Sequence, residues 1–207
     1  MPGFMGGSGS FDEGFKDLPF LWIDEAVLNY GLFSFGLRIE SIFSLIFLSE
    51  WGADFEEMLL HDSLTFFLFY GYLFSNFLPV GTMIIILHDI ADIPFHLSKA
   101  LHAAGYNDAA VYPFVFGLAT WLYFRLYCLP RIIWNITYQA YPPERAHFDP
   151  FIWLSVVFLS MLYCMHWLWF YMMLRIAQKA LTDTSSVEKD EINIACSFVD
   201  DDDLKGQ

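Results

Sequence analysis

From Phe151 to Leu174 the chain reads FIWLSVVFLSMLYCMHWLWFYMML, a run with no Asp, Glu, Lys or Arg. A helix needs roughly 20 apolar residues to cross the hydrocarbon core of a bilayer. A run of this length and apolarity exceeds what the buried helix of a soluble core requires. In lipid every backbone polar group must be satisfied within the segment, so such a run folds as a helix. Similar runs occur at about 26–48, 57–78, 80–102 and 109–136, and the last extends over about 150–176. The chain is 57% hydrophobic and 20% aromatic, which disfavours a soluble helical domain with a large core. The expected fold is all-α, a polytopic transmembrane helix bundle of about five spans. The first span carries Arg38 and Glu40, and the third is the least apolar.

The organisation follows from the ends. Residues 1–20 form a short Gly-rich leader, 21–180 the transmembrane domain and 181–207 an acidic tail. The leader has neither the basic nor the apolar region of a signal peptide, so the first span is expected to direct its own insertion. The net charge of −14 comes mostly from ends and loops. From Asp183 onward eight acids stand against Lys189 and Lys205. Such a segment is expected to be solvated and disordered, and it argues against nucleic acid or anionic headgroups as partners. Arg175 and Lys179 directly follow the last span and favour a cytosolic C-terminus. Cys128, Cys164 and Cys196 have no paired spacing, so neither a disulfide framework nor a zinc site is expected. The sequon Asn135-Ile136-Thr137 abuts a span, too near the membrane for glycosylation.

Punctuation is clear. Asp54 and Glu57 fit a capping box before the second span. Asn76 to Gly81 is a turn signal, Gly105-Tyr106-Asn107-Asp108 marks the exit of the third span, and Tyr141-Pro142-Pro143-Glu144 ends the fourth. Leu129-Pro130 should kink the fourth span, and Pro94 the third. No internal repeat is present.

Between His61 and Tyr106 lie ionisable residues that a lipid-facing chain would not carry. His61, Asp62, His88, Asp89, Asp92, His96 and Lys99 fall within or beside apolar runs, where each costs several kcal/mol if left facing lipid. His88, Asp92, His96 and Lys99 recur at spacings of four, four and three, one stripe on a helix, with Asp89 beside it and apolar Ile90, Ile93 and Leu97 opposite. The stripe should face a cavity or the bundle interior. A carboxylate that accepts a hydrogen bond from one imidazole nitrogen fixes its tautomer, leaving the other nitrogen to act as base or nucleophile. That suits acyl transfer to an amine or hydroxyl. The same residue types serve equally as a His–Asp pair joining helices. His88, Asp92 and His96 also have the spacing of three metal ligands on one helix face. Against a metal stands the absence of the dense histidine clusters of membrane desaturases and hydroxylases.

These positions carry a family resemblance. His61, Thr65, Leu68, Asn76, Gly81, Leu87, His88, Asp89, Asp92, Lys99 and Tyr106 fall in register with the signature of the ceramide synthases, members of the TLC-domain family. DFEEMLLH before them, FRLYCLP at 124–130 and MHWLWFYMMLRIAQK at 165–179 are similar to other family segments, so the resemblance covers about residues 26–180. It implies an endoplasmic-reticulum enzyme that acylates a sphingoid base from acyl-CoA, with no cofactor beyond acyl-CoA as co-substrate. It implies no metal, membrane lipids as surroundings, and a homo- or hetero-dimer. Carried over by position, His61, His88, Asp89 and Asp92 are the catalytic set, and Asp62, Asn76, His96, Lys99 and Arg125 contact substrate. Three positions depart from the family pattern: Asp62 replaces the second histidine of an opening pair, Pro79 an arginine, and His96 a glutamate. On this reading Asp62→His should restore a histidine pair and raise activity. Family members also carry spans upstream of residue 20, so the chain is expected to be truncated, a short form, or a non-enzymatic relative that binds lipid or assists a membrane complex. The acidic tail, with Ser185 and Ser197 ahead of acids, resembles family tails and is expected to modulate activity.

Overall fold

The computed structural model describes residues 25–48, 55–75, 77–139 and 150–182. The leader, Asp54, Asn76, the Tyr141–Glu144 turn and the acidic segment after Thr182 lie outside the described residues. Among the described residues every element is helical: α1 (Glu25–Phe47), α2 (Phe55–Phe74), α3 (Leu78–Ala103), α4 (Asn107–Trp121), a π-helical stretch (Leu122–Cys128), α5 (Leu129–Gln139) and α6 (Pro150–Thr182). Four helical bodies are long and apolar enough to cross a membrane: Glu25–Phe47, Leu78–Ala103, Asn107–Thr137 and Phe151–Gln178. The second expected span, Phe55–Phe74, is not among them, because Glu56, Glu57, His61 and Asp62 dilute its hydropathy. The chain is a multi-pass α-helical membrane protein.

The helix α3 is the centre of the bundle. Two thirds of its apolar window (67%) is buried, against 22% for α1. It packs against α1, α2, α4 and the π-helical stretch. Its polar stripe divides as the pattern predicts only in part. Ala91, Phe95 and Ser98 are buried, whereas Ile93 (61% exposed) and Leu97 (53% exposed) face outward to the lipid. His96 is also exposed, because it lies a turn beyond the cavity described below.

The hairpin between α3 and α4 is closed by local chemistry. Gly105 has φ 86°, a left-handed conformation that glycine adopts without penalty. The Gly105 N–H bonds the His102 carbonyl and the Tyr106 N–H bonds that of Leu101, both at 2.9 Å, the pattern of a Schellman motif. The Ser98 hydroxyl then donates to the Ala110 carbonyl at 2.8 Å. Pro94 lies inside an unbroken α3. The Thr120 hydroxyl of α4 reaches the Ala91 carbonyl at 3.4 Å, in the turn that Pro94 loosens.

The irregularity in the fourth span lies ahead of Pro130 as a π-helical stretch, one extra residue wound into the turns before the proline. Pro130 has no N–H to return to Leu126, whose carbonyl accepts instead from the Tyr163 hydroxyl at 3.4 Å. Widened turns of this kind place one side chain out of α-helical register and occur often at functional sites. Here the displaced region carries Arg125. The sequon lies within α5, with Ile136 buried and the Thr137 hydroxyl bonded to the Ile133 carbonyl.

Three buried clusters hold the described helices, a small one of Phe69, Leu78 and Ile85 and two larger ones. One of the larger joins α2, α3, α5 and α6 through residues such as Leu68, Tyr72, Val80, Ile132 and Leu159. The other centres on Phe95, Trp121, Trp169 and Met173. Close approach in the first cluster depends on Gly71. A Cβ added there would stand 1.7 Å from the Phe151 ring. Gly71→Ala should therefore destabilise the protein by about 1–3 kcal/mol, as overpacking does. Thermal unfolding in detergent measures this, and Gly71→Ala combined with Phe151→Ala should recover part of the loss.

Candidate active site

A partly open cavity lies between α1, α2, α3, the π-helical stretch and α6. His61, Asp62, His88, Asp92 and Arg125 all line it, together with Arg38, Ser41 and Trp169. Its apolar wall includes Leu45, Leu68, Phe69, Leu159 and Leu162. Ionisable groups are thus gathered at one end of an apolar chamber, where no lipid-facing side chain need carry charge.

The histidines are held by different partners. His61 Nδ1 lies 3.2 Å from Asp62 Oδ1. Asp62 is buried, and its Oδ2 accepts from the Ser41 hydroxyl at 2.8 Å. With Nδ1–H committed to the carboxylate, neutral His61 keeps Nε2 as a lone pair, and that atom is buried without a hydrogen-bond partner among the described residues. His88 Nδ1 lies 2.7 Å from the Ile84 carbonyl, one turn back on α3. It must carry a hydrogen to donate there, so its Nε2 is likewise the free acceptor. The third span places His88 and Asp92 one turn apart on the cavity side.

Asp92 meets Arg125. One terminal nitrogen of the guanidinium lies 2.5 Å from both carboxylate oxygens and 3.5 Å from the His88 carbonyl. The guanidinium also lies over the Trp121 ring, 3.9 Å from its centroid, a cation–π contact in a place without water to compete. Arg125 is only 4% exposed.

Asp89 turns the other way. Its Oδ2 accepts from the Tyr30 hydroxyl at 2.6 Å, and its Oδ1 pairs with Arg38 at 3.0 Å. It therefore ties α3 to α1 and does not line the cavity. His96 and Lys99 also lie away from the cavity lining. Among the described residues no group of three or more His, Cys, Asp or Glu is arranged to hold a metal ion. The three-ligand spacing on α3 fails in space because His96 points outward.

Sequence reasoning passed over two residues that the fold brings in. Arg38 reaches the cavity rim from α1. His166, on α6, stands with its ring 5.0 Å from His88 and 6.0 Å from His61, centroid to centroid. Both are ionisable groups within apolar runs, the criterion that singles out His61 and His88, so the signal was present.

Fold and site together define a multi-pass helical membrane protein with His, Asp and Arg side chains gathered around a cavity inside its bundle. A family model for the TLC domain matches residues 10–175, and the chain belongs to that family. Ceramide synthase hyl-2 of Caenorhabditis elegans is 27% identical over 83% of the chain and 55% of its own length. Ceramide synthase 1 LOH3 of Arabidopsis thaliana is 25% identical over 77% of the chain and 54% of its own length. Sphingosine N-acyltransferase lag1 of Schizosaccharomyces pombe is 26% identical over 90% of the chain and 52% of its own length. The chain spans about half the length of these curated relatives. No solved structure matches it significantly.

Proposed function

We propose that the chain carries the site of an N-acyltransferase that moves an acyl group from acyl-CoA to a sphingoid base, giving ceramide. One observation carries this reading: a His61–Asp62 pair with a bare Nε2, set at the polar end of an apolar cavity. The relatives' names point the same way. In the reaction, the neutral amine nitrogen attacks the thioester carbonyl. The C–N bond forms and the C–S bond breaks. The proton that the nitrogen loses passes to His61 Nε2 and then to the departing thiolate sulfur. Asp62, fixed by Ser41, holds the imidazole in the required tautomer and balances its transient charge. The apolar wall takes the hydrocarbon chains. The same reading places the protein in the endoplasmic-reticulum membrane with a cytosolic C-terminus, surrounded by membrane lipids and forming a homo- or hetero-dimer. Asn76, His96 and Lys99 would contact substrate beyond the cavity lining.

The test is ceramide formation from labelled acyl-CoA and a long-chain base in membranes lacking their own synthase. Product above background supports the proposal, and none from a correctly inserted chain overturns it. His88→Ala should lower the rate by about a hundredfold, the low end for a lost acid–base group, with protein levels unchanged. Equal rates in the two proteins would remove His88 from the site. A second reading, lipid binding without turnover, is favoured by the closure of Asp92 against Arg125. Saturable binding of labelled base without product would establish it.

A further inference from the structure

The cavity has a direction. His61 and Tyr72 both line it from α2. They lie three turns apart on one face of that helix, about 16 Å along its axis. On α3, which runs back from the same hairpin, Gly81 lies against the Tyr72 ring, and His88 and Asp92 belong to the polar end. On α6, Trp169 stands beside His61, at 5.0 Å between ring centroids. Leu162 and Leu159 continue the α6 wall two and nearly three turns further toward the hairpin. Polar groups thus mark one end of the cavity, and Tyr72 stands at the other.

The packing of Tyr72 shuts that end. Its carbonyl accepts from the Phe77 N–H at 3.1 Å, where α2 gives way to α3. Its side chain is buried. Gly81 passes so close that a Cβ there would stand 2.8 Å from the Tyr72 ring. The Phe151 ring of α6 meets it edge-on, with centroids 5.5 Å apart. A ring packed against a backbone and a second ring has little room to turn aside for a ligand. An extended hydrocarbon advances about 1.3 Å per carbon, given C–C bonds of about 1.5 Å at near-tetrahedral angles. The span from His61 to Tyr72 therefore matches on the order of a dozen carbons.

We infer that Tyr72 is a specificity-determining residue, its ring a rigid floor that limits the length of hydrocarbon tail the cavity accepts. The tail belongs either to the acyl thioester or to the long-chain amine, which share this chemistry. The inference rests on the acyltransfer reading for its kinetic consequence, whereas a length limit on bound tails requires no turnover.

Two variants isolate the ring. Tyr72→Ala removes it, and Tyr72→Phe keeps it without the hydroxyl. In membranes lacking their own synthase, each protein is given saturated acyl-CoAs of graded length with one base, then bases of graded tail length with one acyl-CoA. In Tyr72→Ala, kcat/KM for tails longer than the wild-type optimum, relative to that optimum, should rise about tenfold or more, the low end for methylenes that a pocket admits or refuses. The series that shifts identifies which tail reaches Tyr72. Tyr72→Phe should keep the wild-type profile. Wild-type profiles in both series for Tyr72→Ala, or an equal shift in Tyr72→Phe, overturn the inference. The second measurement is native mass spectrometry of the full chain in detergent, with mixed saturated fatty acids or n-alkylamines of graded length as probes. Tyr72→Ala should move the bound population toward longer tails. An unmoved population overturns the floor whether or not the protein is active. A moved population without product from the wild type sinks the acyltransfer reading and leaves the floor standing. If Tyr72→Ala does not fold, Tyr72→Leu decides by the same measurement, with a smaller shift in the same direction expected and an unmoved population overturning the inference.

Discussion

His61→Ala will lower N-acyl transfer by about a thousandfold or more, while the protein still inserts and unfolds at nearly the same temperature. The rate effect lies within the range for removing a positioned general base. It should exceed that of His88→Ala because His61 has the paired carboxylate at Nδ1 and the unpartnered nitrogen at Nε2. Stability should change little, since the cluster of Trp169 and its neighbours beside the ring stays packed. Initial rates with labelled acyl-CoA, normalised to inserted protein, measure the loss. A variant within tenfold of wild type would mean that another group removes the proton. Asp62→Asn should be impaired alongside it, because an amide carries no charge to balance the imidazolium and can accept through only one of the two atoms that now face His61 and Ser41. The contacts of Asp62 argue for a different outcome from the one the family pattern suggests. Asp62→His was expected to restore a histidine pair. Asp62 instead holds both His61 and Ser41, so that change removes an established partner and should lower activity.

Much of the architecture was legible because it rests on length and apolarity alone. The five expected runs correspond to α1, α2, α3, the α4–α5 body and α6 within a few residues. Gly105 announced the α3–α4 turn because its local chemistry needs no tertiary partner. The π-helical stretch was not legible in detail: Pro130 signals a disturbed helix, but whether a chain kinks or winds in an extra residue depends on what the neighbouring helix offers its freed carbonyl. Here Tyr163 offers a hydroxyl. Within the site, periodicity put His88 and Asp92 on one face of α3, and both line the cavity. It could not tell Asp89 from them, because only the position of Arg38 and Tyr30 on α1 decides which way that carboxylate turns. His96 continues the stripe in sequence but leaves the cavity, since α3 extends a turn beyond it. His166 met the same criterion as His61 and His88, but its place beside their rings required knowing how α6 packs. A single histidine in an apolar run carries no information about its neighbours across the bundle.

Arg125→Met will destabilise the protein by about 3–5 kcal/mol, the cost of stranding one partner of a buried ion pair. The guanidinium is almost wholly enclosed, and both oxygens of Asp92 are turned toward it. Removing it leaves the carboxylate without its hydrogen-bonded cation, and also forfeits the contact over Trp121. Lysine is a poor substitute. Its ammonium is a compact point charge and lacks the flat face that stacks on the indole. The diagnostic variant is Arg125→Met with Asp92→Leu. A buried pair replaced on both sides by apolar groups of similar size is often neutral or stabilising. The double variant should therefore recover most of the stability lost in the single one. It should stay deficient in the proposed acyl transfer, because Asp92 and Arg125 both line the cavity. Thermal unfolding in detergent gives the first quantity and initial rates give the second. If Arg125→Met costs less than about 1 kcal/mol, water or lipid already solvates Asp92 and the pair is not enclosed as described. If the double variant is as unstable as the single, the loss comes from the stacking on Trp121 and the widened turn that carries it, and not from the unpaired charge. Recovery of stability without recovery of activity would mean that the ion pair serves the site more than the fold. A membrane bundle that could be held together by apolar packing alone would then be keeping two charges in its centre for the chemistry they surround.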